Sequence, residues 1–331
     1  MRQIIINRKK RLLALMTLVV IVLLCLVFWQ YKRHNKETIF VMGGNYFKQT
    51  IEQEDSSESK KLDVETYFRP SSLPVLNNRY NTQFFDDYFG KKASKINLPK
   101  DLLATPEDTI LNYYSILREA ANHEEDKGAG CGSLGNGKIP YPVAYNFLSN
   151  EYKKKLNYKE YMNTFKNILH INLIKYREIP IYDNPSNKKR YFVELETIEG
   201  TEKYTGVFAY YYGFVDLVEE NGRYYIDNLE FVGEDYLCAP YHGWSHDAEA
   251  SVQIRYGGWC SMIKEMYPIV QDGYIKNVSF KGTDGNDYLI VFYQLTNDTD
   301  IEISQYKKQE GGEWELIKLN PEDCLKEKVK E

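Results

Sequence analysis

The chain has 331 residues, with 42 Lys and Arg against 47 Asp and Glu, a net charge of −5 and 43% hydrophobic residues. That length allows one or two domains plus extensions, and the composition is that of an ordinary folded protein. No basic surplus points to nucleic acid, so no nucleic-acid partner is expected.

The first element is "RLLALMTLVVIVLLCLVFWQYKRH", uncharged from Leu12 to Trp29. As a helix these 18 residues reach about the minimum that spans a bilayer. Trp29, Gln30 and Tyr31 sit where an interfacial aromatic belt would lie. Five cations precede the run (Arg2, Arg8, Lys9, Lys10, Arg11) and three follow it (Lys32, Arg33, Lys36). The positive-inside rule then places residues 1–11 in the cytoplasm, an uncleaved signal-anchor at 12–30, and the bulk of the chain outside the cell membrane. The run is long for a secretory h-region and no A-x-A site follows it, against cleavage. Cys25 lacks the small residue that a lipobox places before its cysteine. Beyond the first eleven residues the balance is 42 − 5 = 37 cations to 47 anions, or −10. Such an exterior does not favour docking on an anionic membrane surface.

Residues 31–103 read as a largely disordered linker. "KQTIEQEDSSESKKLDVE" is polar and without period, and "FRPSSLPVLNNRYN" adds prolines and turn residues. A helix starts in "ATPEDTILNYYSILREAANHEE", where Thr105 is the cap, Pro106 the first position, and Glu107 and Asp108 fill the first turn. Ile110, Tyr113, Tyr114, Leu117, Ala120 and Ala121 share one face. A second helix is expected in "VAYNFLSNEYKKKL" and a third from Asn157, with Glu160 closing a capping box and an apolar face running to Leu169. The period then changes. "INLIKYREI", "KRYFVELETI", "EKYTGVFAYYYGFVDLVEE" and "RYYIDNLEFV" read as strands, the last two joined by an Asn221–Gly222 hairpin.

Helices followed by an antiparallel sheet make an α+β plan. The phrases "TPEDTILNYYSIL" and "AYNFLSNEYKKKLNYKEYMNTFKNI", followed by long strands ending in "RYYIDNLEF", resemble an NTF2-like domain over 104–235. The resemblance implies a cone of three helices on a curved antiparallel sheet, with a space between them that some relatives use for ligands or catalysis. A membrane span ahead of such a domain is also similar to assembly subunits of conjugation and type IV secretion machines. A connecting loop at 236–260 leads to a smaller unit at 261–320, read as one short helix in "WCSMIKEMYPIV" and four strands with turns at Asp284–Gly285, Asn297–Asp298 and Gly311–Gly312. Residues 321–331 form a charged tail.

Candidate chemistry concentrates in "CAPYHGWSHDAEASVQIRYGGWC". His242, His246 and Asp247 are the candidates for a metal. Zinc needs a further ligand, and Gly243 argues against a helix that would align the histidines. A structural loop is the better reading, and neither metal nor cofactor is expected. Cys131, Cys238, Cys260 and Cys324 would all lie outside, where disulfides persist, and four cysteines allow three pairings. Closure of the loop by Cys238–Cys260 is favoured, with Cys131 joining either of them as the rival. "GAGCGSLGNGK" is not a phosphate loop, because Lys138 is followed by Ile139. His123 with Glu124, Glu125 and Asp126 reads as a solvated helix end. His170 sits where the third helix meets a strand and is the candidate to face the cone's space, where it would be placed as a general base; a core or surface histidine is the favoured reading.

The leading reading is a non-enzymatic, single-span extracytoplasmic binding or scaffold module with a protein or envelope-component partner, open to oligomerisation. The alternative is a small-ligand-binding or hydrolytic enzyme using the cone's space. An open space with converging polar groups favours the enzyme; one filled by Tyr and Phe favours the scaffold.

Overall fold

Thr105 starts the first long helix as its sequence requires. Its backbone is extended, and its hydroxyl accepts the Asp108 N–H at 3.0 Å, so α1 (Pro106–Arg118) begins there. In this computed structural model the described residues are 38–48, 71–124, 127, 135–182, 187–234, 243–309 and 311–328. The expected span at 12–30 lies outside them; among the described residues no helix is long and apolar enough to cross a membrane.

Short helices follow: α2 (Tyr141–Ala144), α3 (Asn150–Lys155) and α4 (Tyr158–Asn163). Ser149 caps α3, and the capping box at Asn157 and Glu160 starts α4. The expected third helix stops six residues before Leu169. Asn167 adopts a positive φ of 66°, and the chain turns into a strand at Ile168.

Two six-stranded sheets carry the α+β architecture. The first has order β1-β2-β6-β5-β4-β3, built from β1 (Ile39–Val41), β2 (Gly44–Phe47), β3 (Ile168–Ile179), β4 (Lys188–Gly200), β5 (Gly206–Glu220) and β6 (Arg223–Gly233). β3 to β6 form an antiparallel meander, and Asn221 and Gly222 both take positive φ in the tight hairpin between β5 and β6. β2 lies parallel to β6, pairing Asn45 with Glu230.

Alternation along β4 sorts the two faces of this sheet. Tyr191, Val193 and Leu195 join Tyr113, Ile116, Leu117 and Phe165 on the helix side. Phe192 points the other way, to Tyr293 and Leu295 of the second sheet. With both faces covered, β4 is buried without interruption from Tyr191 to Thr197.

The second sheet has order β12-β11-β10-β9-β7, with β8 also paired to β9. Its strands are β7 (Ile263–Met266), β8 (Val270–Asp272), β9 (Ile275–Gly282), β10 (Asp287–Gln294), β11 (Asp300–Lys308) and β12 (Trp314–Ile317). Gly285, Asp298 and Gly311 take positive φ at the three expected turns. The helix of this part lies earlier than expected. Asp247 caps α5 (Ala248–Val252), which runs on as a π-helical stretch to Trp259, and "IKEM" is strand rather than helix. Val252 and Tyr256 pack there against Val278, Phe280 and Ile290. A last helix, α6 (Pro321–Lys328), replaces the expected tail.

The linker expectation for 31–103 is corrected over residues 38–48 and 71–103, which build the core. Phe85, Leu102 and Leu103 are buried in the helix-side core. Asn77 is fully buried: its amide donates to the carbonyls of Tyr114 and Ile171 and accepts the Leu173 N–H. This segment therefore covers the free edge of β3. Its lack of period has a physical reason, since 3-10 turns and extended pieces are held by single contacts rather than by one continuous face.

Gly43 locks the first hairpin to that core. Its φ is +80°, its carbonyl accepts the Tyr152 hydroxyl at 2.8 Å, and a Cβ would come within 2.7 Å of the Tyr161 ring. Gly43→Ala is expected to cost about 2 kcal/mol through left-handed strain and ring displacement. Chemical denaturation of the variant checks this, and a loss below a few tenths of that value would contradict the docking of the hairpin.

Candidate functional site

The space expected between helices and sheet is filled by rings. Tyr113, Tyr114, Tyr141, Tyr161, Phe147 and Phe165 are each at most 1% exposed. Tyr113 and Tyr161 join their hydroxyls at 3.1 Å, and Tyr161 meets Phe165 edge-on with centroids 5.0 Å apart. Offset and edge-on rings pack densely, and whereas the buried Tyr114 hydroxyl has no hydrogen-bond partner among the described residues, the Tyr113 and Tyr161 hydroxyls satisfy each other. Burial holds both phenols protonated far above their ordinary range, so neither is a ready base.

His170 lies half-buried on β3, on the polar face opposite this aromatic core. Its Nε2 meets Asn172 Oδ1 at 3.0 Å, and Asn172 donates onward to Glu196 Oε1 at 2.9 Å. Glu196 Oε2 accepts the Tyr210 hydroxyl at 3.0 Å and the Ser71 N–H at 2.5 Å. Burial holds the imidazole below its ordinary pKa; the charge of Arg118 pushes the same way, while Asn172 and Glu196 resist. The chain has the form of an oriented histidine, but among the described residues no Ser or Cys nucleophile is bonded to it. It joins β3, β4, β5 and the 71–77 segment.

A second buried cluster joins the two sheets. A register shift between Leu173 and Lys175 sets Lys175 opposite Glu194. The two form an ion pair at 2.6 Å with 7% and 0% side-chain exposure. Glu194 Oε1 accepts the Thr296 N–H at 2.8 Å and the Thr296 hydroxyl, while Lys175 donates to the Gln294 carbonyl at 2.9 Å. Its ammonium also lies 5.4 Å from the centre of the Tyr274 ring. Three hydrogen bonds, from Thr296 and to Gln294, thus support a charge pair that burial would otherwise penalise.

The remaining candidates separate. Asp247 is a helix cap, accepting the Ala250 N–H at 2.8 Å, and His246 ends a 3-10 turn at Trp244–His246. His242 lies outside the described residues, as do Cys131 and Cys238. Among the described residues, no three His, Cys, Asp or Glu side chains converge as a metal-holding group. The pairing expected for Cys260 is corrected: it is bonded to Cys324, 64 residues away, with Cα atoms 5.1 Å apart. The cause is α6, which folds back against the π-helical stretch ending at Trp259 and brings Cys324 alongside.

The polar groups make a pH prediction. A histidine whose folded pKa is lowered takes its proton first in the unfolded chain. Stability is then intact at neutral pH and falls as pH drops through about 6.5. Asp108, beside Arg79, and Asp287, beside Lys281, have lowered values. Asp284 is lowered too: hydrogen bonds from Asn286, Lys307 and Tyr288 outweigh its desolvation. These three add stability that is present above the ordinary carboxylate range and is lost as pH falls through their folded values. Asp216 and Asp300 act in the opposite sense, raised by burial despite Arg190 and Lys276. The thermal midpoint should therefore decline in two stages on acidification, with His170→Gln flattening only the first. A scan of midpoint against pH with both chains tests this, and an unchanged slope between pH 7 and about 5.5 in the variant would contradict the His170 assignment.

No protein-family model and no curated protein matches the chain. A solved structure described as "Ntf2 like protein involved in plasmid conjugation" matches at 11% identity, over 51% of this chain and 87% of that one, with a TM-score of 0.18. At that score the likeness carries no argument about function.

Proposed function

We propose that this chain is a membrane-anchored binding module whose folded part serves as a docking or scaffold subunit outside the cell membrane. The observation that carries the reading is the solid packing of Tyr and Phe between the helices and the first sheet. A hydrolase or ligand carrier built on that space needs it open, whereas a scaffold needs it stiff. Stiffness is also the effect of the buried Lys175–Glu194 pair, which binds the two sheets through both backbone and side chain. The membrane placement rests on the apolar run from Leu12 to Trp29 and its flanking cations. The finer reading, an assembly subunit of a conjugation- or type IV secretion-type machine, rests only on the order of span, N-terminal segment and helices-then-sheet.

The test is crosslinking in intact membranes with the full chain, followed by purification under denaturing conditions. A discrete adduct with another envelope protein or with a second copy is the expected result. Recovery of the monomer alone, with a small molecule retained in the folded part, overturns the scaffold reading.

A further inference from the structure

A cleft of about 620 Å³ opens where the end of the β5–β6 hairpin meets the 96–103 segment and α3. It is separate from the aromatic core and from both polar clusters described above, and its size falls in the usual range for a small-molecule site. Lys100, Lys153 and Arg223 line it, against the single carboxylate of Glu220, a local balance of 3 − 1 = +2 in a chain whose net charge is −5.

Several cations near the cleft are ion-paired. Lys188 pairs with Asp227, Lys189 with Glu178, Arg190 with Asp216 and Glu230, and Lys154 with Glu151. Among the described residues, none of Lys100, Lys153 and Arg223 has an ion-pair partner within 4.0 Å. Lys153 is partly desolvated, its ammonium held 5.5 Å from the centre of the Tyr145 ring. Burial lowers its pKa, and Glu220 only partly opposes this. The Tyr145 ring and Glu220 offset only part of the desolvation of Lys153, and an anion entering the cleft would relieve the rest. Three unpaired charges of one sign in a recess also concentrate the field on whatever enters.

The rest of the lining narrows the class. Asn97, Asn150 and Asn221 present amides, each able to donate and accept at adjacent atoms, as vicinal hydroxyls require. Asn146 spends its amide hydrogens on the carbonyls of Ala93 and Pro142, so only its oxygen is left to accept from a ligand. Tyr225, half-buried, offers a ring against which the C–H face of a pyranose can lie. A fatty anion would leave the amides unmatched, and a bare inorganic anion would leave the ring and most of the volume unused.

We infer that this cleft binds an acidic saccharide, a sugar bearing carboxylate or phosphate. The inference does not depend on the membrane placement or on a protein partner. Calorimetric titration of the detergent-solubilised full chain with digalacturonate, glucose 6-phosphate and neutral maltose tests it. At least one acidic sugar should bind, at least roughly tenfold more tightly than maltose, and more weakly as salt rises. Binding of digalacturonate only identifies a carboxylate ligand, and of glucose 6-phosphate only a phosphate ligand; either supports the site. Lys100→Ala and Arg223→Gln, both at side chains without an ion-pair partner among the described residues, should each weaken binding roughly tenfold with the thermal midpoint unchanged. Absence of binding up to about 10 mM, equal binding of maltose, or unaltered affinity in both variants overturns the proposal.

Discussion

Replacing Glu194 with Ala should lower the unfolding free energy by about 3–5 kcal/mol, among the largest losses expected from any single substitution here. The change leaves the Lys175 ammonium buried at 7% exposure without its carboxylate and removes the acceptor of two Thr296 donors. Because those donors sit in the turn between β10 and β11, the loss should loosen the contact between sheets and not only the first one. Lys175→Met also strands a charge, the Glu194 carboxylate at 0% exposure. Glu194 keeps both Thr296 bonds, however, and the new thioether fills the stem's volume, so the smaller loss of the two is expected. Urea unfolding of the two single variants and the double variant closes a cycle, and a strong coupling energy is expected. Additive losses would show that the pair contributes nothing beyond its separate side chains.

Opening the Cys260–Cys324 bridge should cost about 4 kcal/mol in the chain-entropy model, given a separation of 64 residues. Cys324→Ser, followed by thermal unfolding with and without reductant, measures it. The unaltered chain should lose stability on reduction and the variant should be insensitive to reductant. Peptide mapping without reduction should also yield a fragment joining Cys260 to Cys324. Free thiols at both positions would contradict the assignment. The expected loss is concentrated at α6, where Cys260 Sγ also meets the Pro321 carbonyl at 3.8 Å.

Local signals in the sequence carried far. Thr105 and Asn157 each cap the helix that follows them, and Asn221–Gly222 makes the hairpin that its residue types dictate, whereas Ser149 splits the one helix expected in "VAYNFLSNEYKKKL" by capping α3. Such features are decided within a few residues. What needed the whole molecule was less legible. Lys175 and Glu194 look like the solvent positions of alternating strands, and only the second sheet makes them interior. The one hint is "YFVELET", a strand with no solvated face once that sheet is present. In the same way α1 was read as one apolar face, yet Leu111 and Asn112 on its other side are also buried. Arg79, Tyr80 and the Leu102 carbonyl satisfy Asn112 from the segment that lacked any period. The presence of Leu111 beside Ile110 was the available sign that a second surface covers this helix. The cysteine pairing was beyond reach because four thiols permit three arrangements and loop length alone does not choose among them.

The parallel pairing of β2 with β6 governs the order in which the chain can fold. Residues 45–47 find their partners at 230–232, so the earliest strands stay unpaired on that side until those residues have left the ribosome. Asn77 similarly waits for Ile171 and Leu173. Contacts this distant along the sequence close slowly. The nascent chain must therefore carry an unsatisfied strand edge through most of its synthesis, the state in which premature association with a neighbouring chain is most dangerous.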